Sequence, residues 1–271
     1  MPTKYVDVRG QAIYCHYAGA TTLPDTIPDL SGGRVLFFIH AAGSNGHAWH
    51  YQVEHLGARH SPVAPDLPGH GRSSGVQGLE SVQEYADFAV TVLEALGLRS
   101  AVMVGRSMGG AIAMDLAVRY PERVSALVLI ATAAKFTFAP ERVEGLRAVA
   151  MGRAPQAFTT DGFSPATVKE RFEVVREAWA EQVKTDPRVR YGDVLACSRV
   201  DLREAVRGIR QPTLILAGRD DTITPPSEAE LLARLIAGAR LQVIEQASHN
   251  LPTERPAEVN GAIERLLDEL E

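Results

Sequence analysis

The chain has 271 residues, 45% of them hydrophobic and 23% charged, a composition that excludes fibrous repeats and disorder and fits one large core with room for an inserted subdomain. A formal net charge of −5 supplies no basic field for nucleic acid or an anionic membrane surface, so the expected partner is a small molecule. The only cysteines, Cys15 and Cys197, lack any paired C-x-x-C spacing and read as reduced packing residues rather than a zinc or redox site.

Residues 1–10 carry Lys4, Asp7 and Arg9 and lack the apolar run of a secretory signal. Two short alternating runs, 5–9 and 12–17, flank Gly10-Gln11 and predict an antiparallel hairpin at a sheet edge. After a loop rich in Pro and Gly, residues 35–39 form a compact β-branched and aromatic run of the kind buried on both faces of a parallel sheet. Similar runs recur at 101–104, 126–130 and 213–216. Between the first two, residues 81–96 place Val82, Tyr85, Ala89, Val92, Leu93 and Leu96 on one helical face. This alternation predicts βαβ units and a sheet covered by helices on both sides.

The longest apolar stretch, 124–134, is interrupted by Ser125 and Thr132 and falls short of the ~20 residues that cross a bilayer. It reads as a buried strand, and the chain as a cytoplasmic protein without a membrane segment. From 133 to 210 the alternation stops. Helix-like stretches at 141–151, 167–183 and 188–198 are punctuated by Pro140, Pro155, Pro165, Pro187 and Gly192. Residues 1–132 and 211–271 are therefore expected to form the core, with 133–210 a helical cap inserted in it.

The chemistry centres on Gly105-Arg106-Ser107-Met108-Gly109-Gly110, which follows the strand at 101–104 and precedes a helical pattern at 111–120. This is G-x-S-x-G between strand and helix, where flanking glycines permit a turn tight enough to push the serine up into a cleft. The helix N-terminus then faces any oxyanion formed by attack. A tight turn with an incidental serine is the bland alternative. Serine needs a base, and His249 stands out among eight histidines because it follows the strand-like run 241–244 and precedes a C-terminal helix. The carboxylate that orients it is expected on another strand-end loop, where Asp220 and Asp221 are adjacent. The member that does not reach the base is expected to be solvated or to cap a turn.

Taken together, the strand and loop 37–49, the turn 66–73 (Asp-Leu-Pro-Gly-His-Gly-Arg-Ser), the elbow around Ser107 and the two late loops resemble the α/β-hydrolase superfamily, its serine esterase and lipase branch, over about residues 35–256. The resemblance implies a mostly parallel sheet flanked by helices with an inserted helical cap. It selects Asp221, three positions after a glycine, over Asp220, and implies an oxyanion hole from the backbone N–H groups of Met108 and Ala42. His40-Ala41-Ala42-Gly43 departs from the common His-Gly start of that loop, because Ala41 brings a Cβ that restricts the backbone. Asp66 and His70 are expected to be structural. His47, Trp49 and His50 read as the start of the first core helix, with lining of the cleft entrance the alternative.

Ala41, Arg106, Phe136 and Trp179 are the candidate substrate contacts. For Arg106 an ion pair with a surface carboxylate is the first expectation and an anionic substrate group the second. Phe136, Phe138, Phe158, Phe163, Phe172 and Trp179 would either make the cap's inner wall apolar or hold its helices together. The implied function is hydrolysis of small or medium, largely apolar carboxylic esters through an acyl-enzyme, without metal or organic cofactor, by a monomer or homodimer. Serine at position 107 excludes a resemblance to the branches whose nucleophile is aspartate. A lactonase, a carbon-carbon bond hydrolase (for which His40-Ala41-Ala42-Gly43 is a poor match) and a ligand-binding receptor are the alternatives.

Overall fold

The computed structural model describes residues 1–23 and 26–270. Through residue 130 the chain forms β1 (Thr3–Val8), β2 (Gln11–Tyr17), β3 (Val35–Ile39), α1 (His50–Leu56), β4 (Ser61–Pro65), α2 (Val82–Ala95), β5 (Ala101–Arg106), α3 (Met108–Arg119) and β6 (Val124–Ile130). A run of helices follows: α4 (Pro140–Ala150), α5 (Pro165–Glu170), α6 (Phe172–Gln182) and α7 (Pro187–Arg199). The chain returns through β7 (Thr213–Gly218), α8 (Pro226–Leu235), β8 (Arg240–Ile244), α9 (Leu251–Glu254) and α10 (Pro256–Glu269). Among the described residues no helix is long and apolar enough to cross a membrane.

The sheet order is β1-β2-β4-β3-β5-β6-β7-β8. The pairings β1–β2 and β2–β4 are antiparallel, and every pairing from β4 onward is parallel. Period-two alternation splits each central strand between two cores. In β3, Phe37 and Ile39 join α2, α3 and α8 on one face, while Leu36 and Phe38 join α1 and α10 on the other. Every residue of β5 and β7 is consequently buried.

Several local expectations change. The hairpin turn is Arg9-Gly10, one residue earlier than expected, with φ of 54° and 81°, the paired positive values of the tight turn whose twist suits a hairpin. β4 (Ser-Pro-Val-Ala-Pro) is a buried strand hidden by its prolines. Pro62 pairs only with β3 and Pro65 only with β2, so each missing N–H is tolerated. The stretch expected as one helix over 167–183 is two, because Arg171 leaves helical geometry (φ −139°, ψ 50°) and sends Nη1 to the Glu254 carbonyl at 2.9 Å, a tertiary contact without periodicity. Pro140, Pro165 and Pro187 each open a helix, as proline does at a first helical position, but Gly192 lies inside α7. The loops leaving the carboxyl ends of β3, β5, β7 and β8 open at the same edge of the sheet, and the four helices between β6 and β7 face them.

Candidate active site

Ser107 sits between β5 and α3 with φ 54° and ψ −119°, a strained conformation for a residue with a Cβ. Packing enforces it. A Cβ on Gly105 would stand 2.1 Å from the Gly109 carbonyl oxygen, and one on Gly109 would stand 2.1 Å from that of Ile39. The Ser107 N–H donates to the Ile130 carbonyl at 3.0 Å, and the Thr132 hydroxyl donates to the Ser107 carbonyl at 2.7 Å. Gly109→Ala is therefore expected to cost about 3 kcal/mol or more, since a backbone carbonyl cannot move aside as a side chain can. Chemical denaturation checks this, and a loss below ~1 kcal/mol would show that the elbow is looser than its packing indicates.

His249 lies after β8 and Asp221 after β7. His249 Nδ1 is 2.9 Å from Asp221 Oδ2 and 3.2 Å from the Thr224 hydroxyl. Two oxygens at Nδ1 favour the proton there and leave Nε2 as the acceptor. Asp221 also accepts from the N–H groups of Ile223 at 2.8 Å and Thr224 at 3.0 Å and from the Thr224 hydroxyl at 2.9 Å. Burial pushes its carboxyl up, but the hydrogen bond and charge of His249 and the two N–H groups outweigh burial and hold it below the usual carboxylate value. Asp220 is half-buried, and among the described residues its carboxylate makes no such contact, so of the two neighbours it is Asp221 that meets His249.

Ser107 and His249 are each 8% exposed and line one cavity of about 520 Å³, within the usual range for small-molecule sites. Among the described residues no hydrogen bond joins Ser107 Oγ to the imidazole; such contacts often tighten only with substrate present. Ala41, Ala42, Arg106 and Trp179 line the same cavity. Neither the Ala42 nor the Met108 N–H has a protein acceptor among the described residues. The departure at Ala41 is absorbed two residues on: Gly43, not Ala41, takes positive φ (63°). His40, buried and held neutral with its pKa lowered to about 3 by burial and by His70, anchors the loop by accepting from the Leu67 N–H at 3.0 Å.

Two expected contacts are corrected. Phe136 is buried in the core, stacked on Phe138 at 6.0 Å, and it is Phe138 and Phe163 that reach the cavity. Among the described residues Arg106 makes no surface ion pair. Its guanidinium is buried, donates through Nη1 to the Asn250 amide oxygen at 2.6 Å, and leaves Nε without a partner. His47 and His50 line the cavity, whereas Trp49 is buried against Phe38. Phe158 and Phe172 are both partly exposed and pack edge to face at 5.9 Å.

Two buried carboxylates missed in the sequence brace the site. Glu254 accepts from the N–H of Ser248, next to His249, at 2.9 Å and from Ser164 at 2.7 Å. Asp193, on α7, accepts from the Gly43 N–H at 2.8 Å, His70 Nε2 at 2.7 Å and the Tyr85 hydroxyl at 2.7 Å. The signal for Asp193 is a carboxylate within the stripe Val189, Asp193, Ala196, Cys197, all of which α7 buries; Glu254 offers no comparable signal. Among the described residues no three His, Cys, Asp or Glu side chains converge as metal ligands would.

A family model described as "alpha/beta hydrolase fold" matches residues 34–256. A pimeloyl-[acyl-carrier protein] methyl ester esterase of Neisseria meningitidis serogroup C is 30% identical over 238 residues, 84% of this chain and 89% of that protein. A thermophilic esterase of Thermogutta terrifontis, solved with malate bound, superposes with a TM-score of 0.85 at 25% identity over 100% of this chain and 99% of its own. The enol-lactonase of Burkholderia xenovorans superposes with a TM-score of 0.81 at 25% identity over 98% of this chain and 100% of its own.

Proposed function

Because this chain belongs to the alpha/beta hydrolase fold family, we propose that it cleaves carboxylic esters of small or medium, largely apolar substrates through an acyl-enzyme on Ser107. The observation that carries this reading is the Asp221–His249 pair, closed at 2.9 Å, opening on the cavity into which the strained elbow lifts Ser107. Ser107 Oγ attacks the acyl carbon as His249 Nε2 takes its proton, and Asp221 stabilises the imidazolium. The N–H groups of Met108 and Ala42 receive the oxyanion. His249 then protonates the departing alkoxide, and water, deprotonated by the same imidazole, releases the acid.

The segment between β6 and β7, helices and loops together, serves as a cap, since its Phe138, Phe163 and Trp179 add apolar wall to the cavity. The partner is a small ester. A lactone is the second reading, supported by the likeness to an enol-lactonase, and it needs the same steps with the ring oxygen as leaving group. A fluorophosphonate probe followed by peptide mapping tests the assignment. Modification confined to Ser107 is expected, and labelling at another serine refutes it. Hydrolysis rates for simple esters beside lactones of equal carbon number then separate the two substrate classes.

A further inference from the structure

The cavity that holds Ser107 also holds three arginines, Arg106, Arg142 and Arg190. Two exposed arginines nearby in the chain are paired with carboxylates, Arg188 with Asp186 and Arg203 with Asp201, each at 2.6 Å. Among the described residues none of the three cavity arginines has a carboxylate within ion-pairing distance. Arg106 meets the amide of Asn250 and keeps a buried, unpartnered Nε. Arg190 meets the amide of Gln182, whose oxygen, turned to the guanidinium, accepts from Nε at 3.2 Å and Nη2 at 3.0 Å. Neutral amides occupy donors without cancelling charge, and a cation withdrawn from water without counter-charge is costly.

Arg106 feels this cost most, its pKa pulled by burial to about 10, and Arg190 feels it beside the Ala42 loop. Burial pulls Arg190 below the ordinary arginine value, and the like charge of Arg142 adds to the effect, against a weaker pull from Asp161. Its stem is fixed beside the loop that carries Ala42, since a Cβ on Gly43 would stand 2.5 Å from Arg190 Cγ. The wall also contains Asp161, Glu177 and Glu181, of which Glu181 is already engaged by Lys184 and Asn45. A doubly charged phosphate would be opposed by those acids, whereas a single planar carboxylate matches a guanidinium fork.

We propose that the acyl part of the substrate ends in a carboxylate, and that Arg190, supported by Arg142, receives it. The rest of the acyl chain is apolar, and the inference rests on the ester-hydrolase reading above. Two p-nitrophenyl esters of equal chain length test it: the hexanoate, and the hemiadipate that ends in a carboxylate. The wild-type protein is expected to favour the hemiadipate in kcat/KM by about tenfold or more, through KM, the size of one charge-assisted hydrogen-bonded contact. Arg190→Gln lowers that preference about tenfold, and Arg190→Lys restores part of it. Arg142→Gln lowers it by a smaller factor. A wild-type preference near one, or a preference unchanged in Arg190→Gln, overturns the proposal.

Binding of monomethyl adipate to Ser107→Ala protein, followed by calorimetry, reads the same site without turnover. Affinity about tenfold weaker in the Ser107→Ala, Arg190→Gln double variant is expected, and equal affinity overturns the proposal. Should neither p-nitrophenyl ester be turned over while binding still depends on Arg190, the ester-hydrolase reading falls and the carboxylate site stands.

Discussion

Ser107→Ala is expected to lower kcat for p-nitrophenyl esters by about 10⁴-fold or more, and His249→Ala by a factor of similar order, because nucleophile and base act as a unit. Any remaining turnover would come from the oxyanion donors and substrate binding alone. Steady-state kinetics on purified variants decides it: a Ser107→Ala enzyme within tenfold of wild type would dispose of the assignment. The backbone provides a second, independent readout. Alanine keeps the Cβ and hence the strain of φ 54° and ψ −119°, whereas glycine enters the positive-φ region without steric cost. Ser107→Gly is thus expected to be as inactive as Ser107→Ala yet more stable by about 1 kcal/mol, the lower end of the cost of a strained backbone site. Equal stability of the two variants would mean that the elbow stores no strain.

The elbow is legible in sequence because its determinants are local. A buried strand, two glycines forced by backbone approach and a helix start all fall within 101–119, and each leaves a mark on residue type. The Asp221 and His249 loops are legible for a related reason, since each directly follows a strand-like apolar run. β4 is not legible: its prolines read as a loop, and only pairing with different neighbours at its two ends makes them acceptable. Phe136 and Arg106 were misplaced because sequence conveys polarity and not direction. A phenylalanine suits a core as well as a cavity wall, and an arginine beside the nucleophile gives no sign that its guanidinium meets the Asn250 amide. Glu254 is hardest to see, because no stripe marks it and one of its partners, Ser164, lies ninety residues away; Asp193, whose partner Gly43 is more distant still, shows only as a carboxylate in a buried helical stripe.

Asp193 also ties α7 to distant parts of the chain, and its removal is expected to have the largest effect on stability. It is 0% exposed, and its two oxygens receive three donors from three parts of the core: the Gly43 N–H, the His70 imidazole and the Tyr85 hydroxyl. Asp193→Ala leaves these buried groups unpaired and is expected to cost about 3–5 kcal/mol, the usual penalty for deleting one member of a buried charged network. Asp193→Asn keeps the volume but removes the negative charge that holds the Gly43 N–H and His70 Nε2 on one oxygen. It also turns an NH₂ toward the Tyr85 hydroxyl, which must then accept instead of donate. Because Gly43 follows Ala42, a proposed oxyanion donor, Asp193→Asn is expected to lower kcat about 10- to 100-fold, somewhat less than outright deletion of such a donor.

The pH dependence separates this role from simple packing. Burial pushes the His70 pKa down, but the charge and hydrogen bond of Asp193 outweigh burial and raise it above 6.5. A group whose folded-state pKa is raised contributes stability that is fully present below the unfolded value near 6.5 and is lost as pH rises through the folded value. The wild-type protein should therefore lose part of its stability as pH climbs above ~6.5, and Asp193→Asn should flatten that slope. Urea denaturation at intervals between about pH 6 and 9 measures it. Parallel slopes for the two proteins would mean that His70 is neutral in the fold and that Asp193 acts through hydrogen bonding alone, whereas a flattened slope together with a fall in kcat would place the charge of the pair at the joint that holds the Ala42 loop.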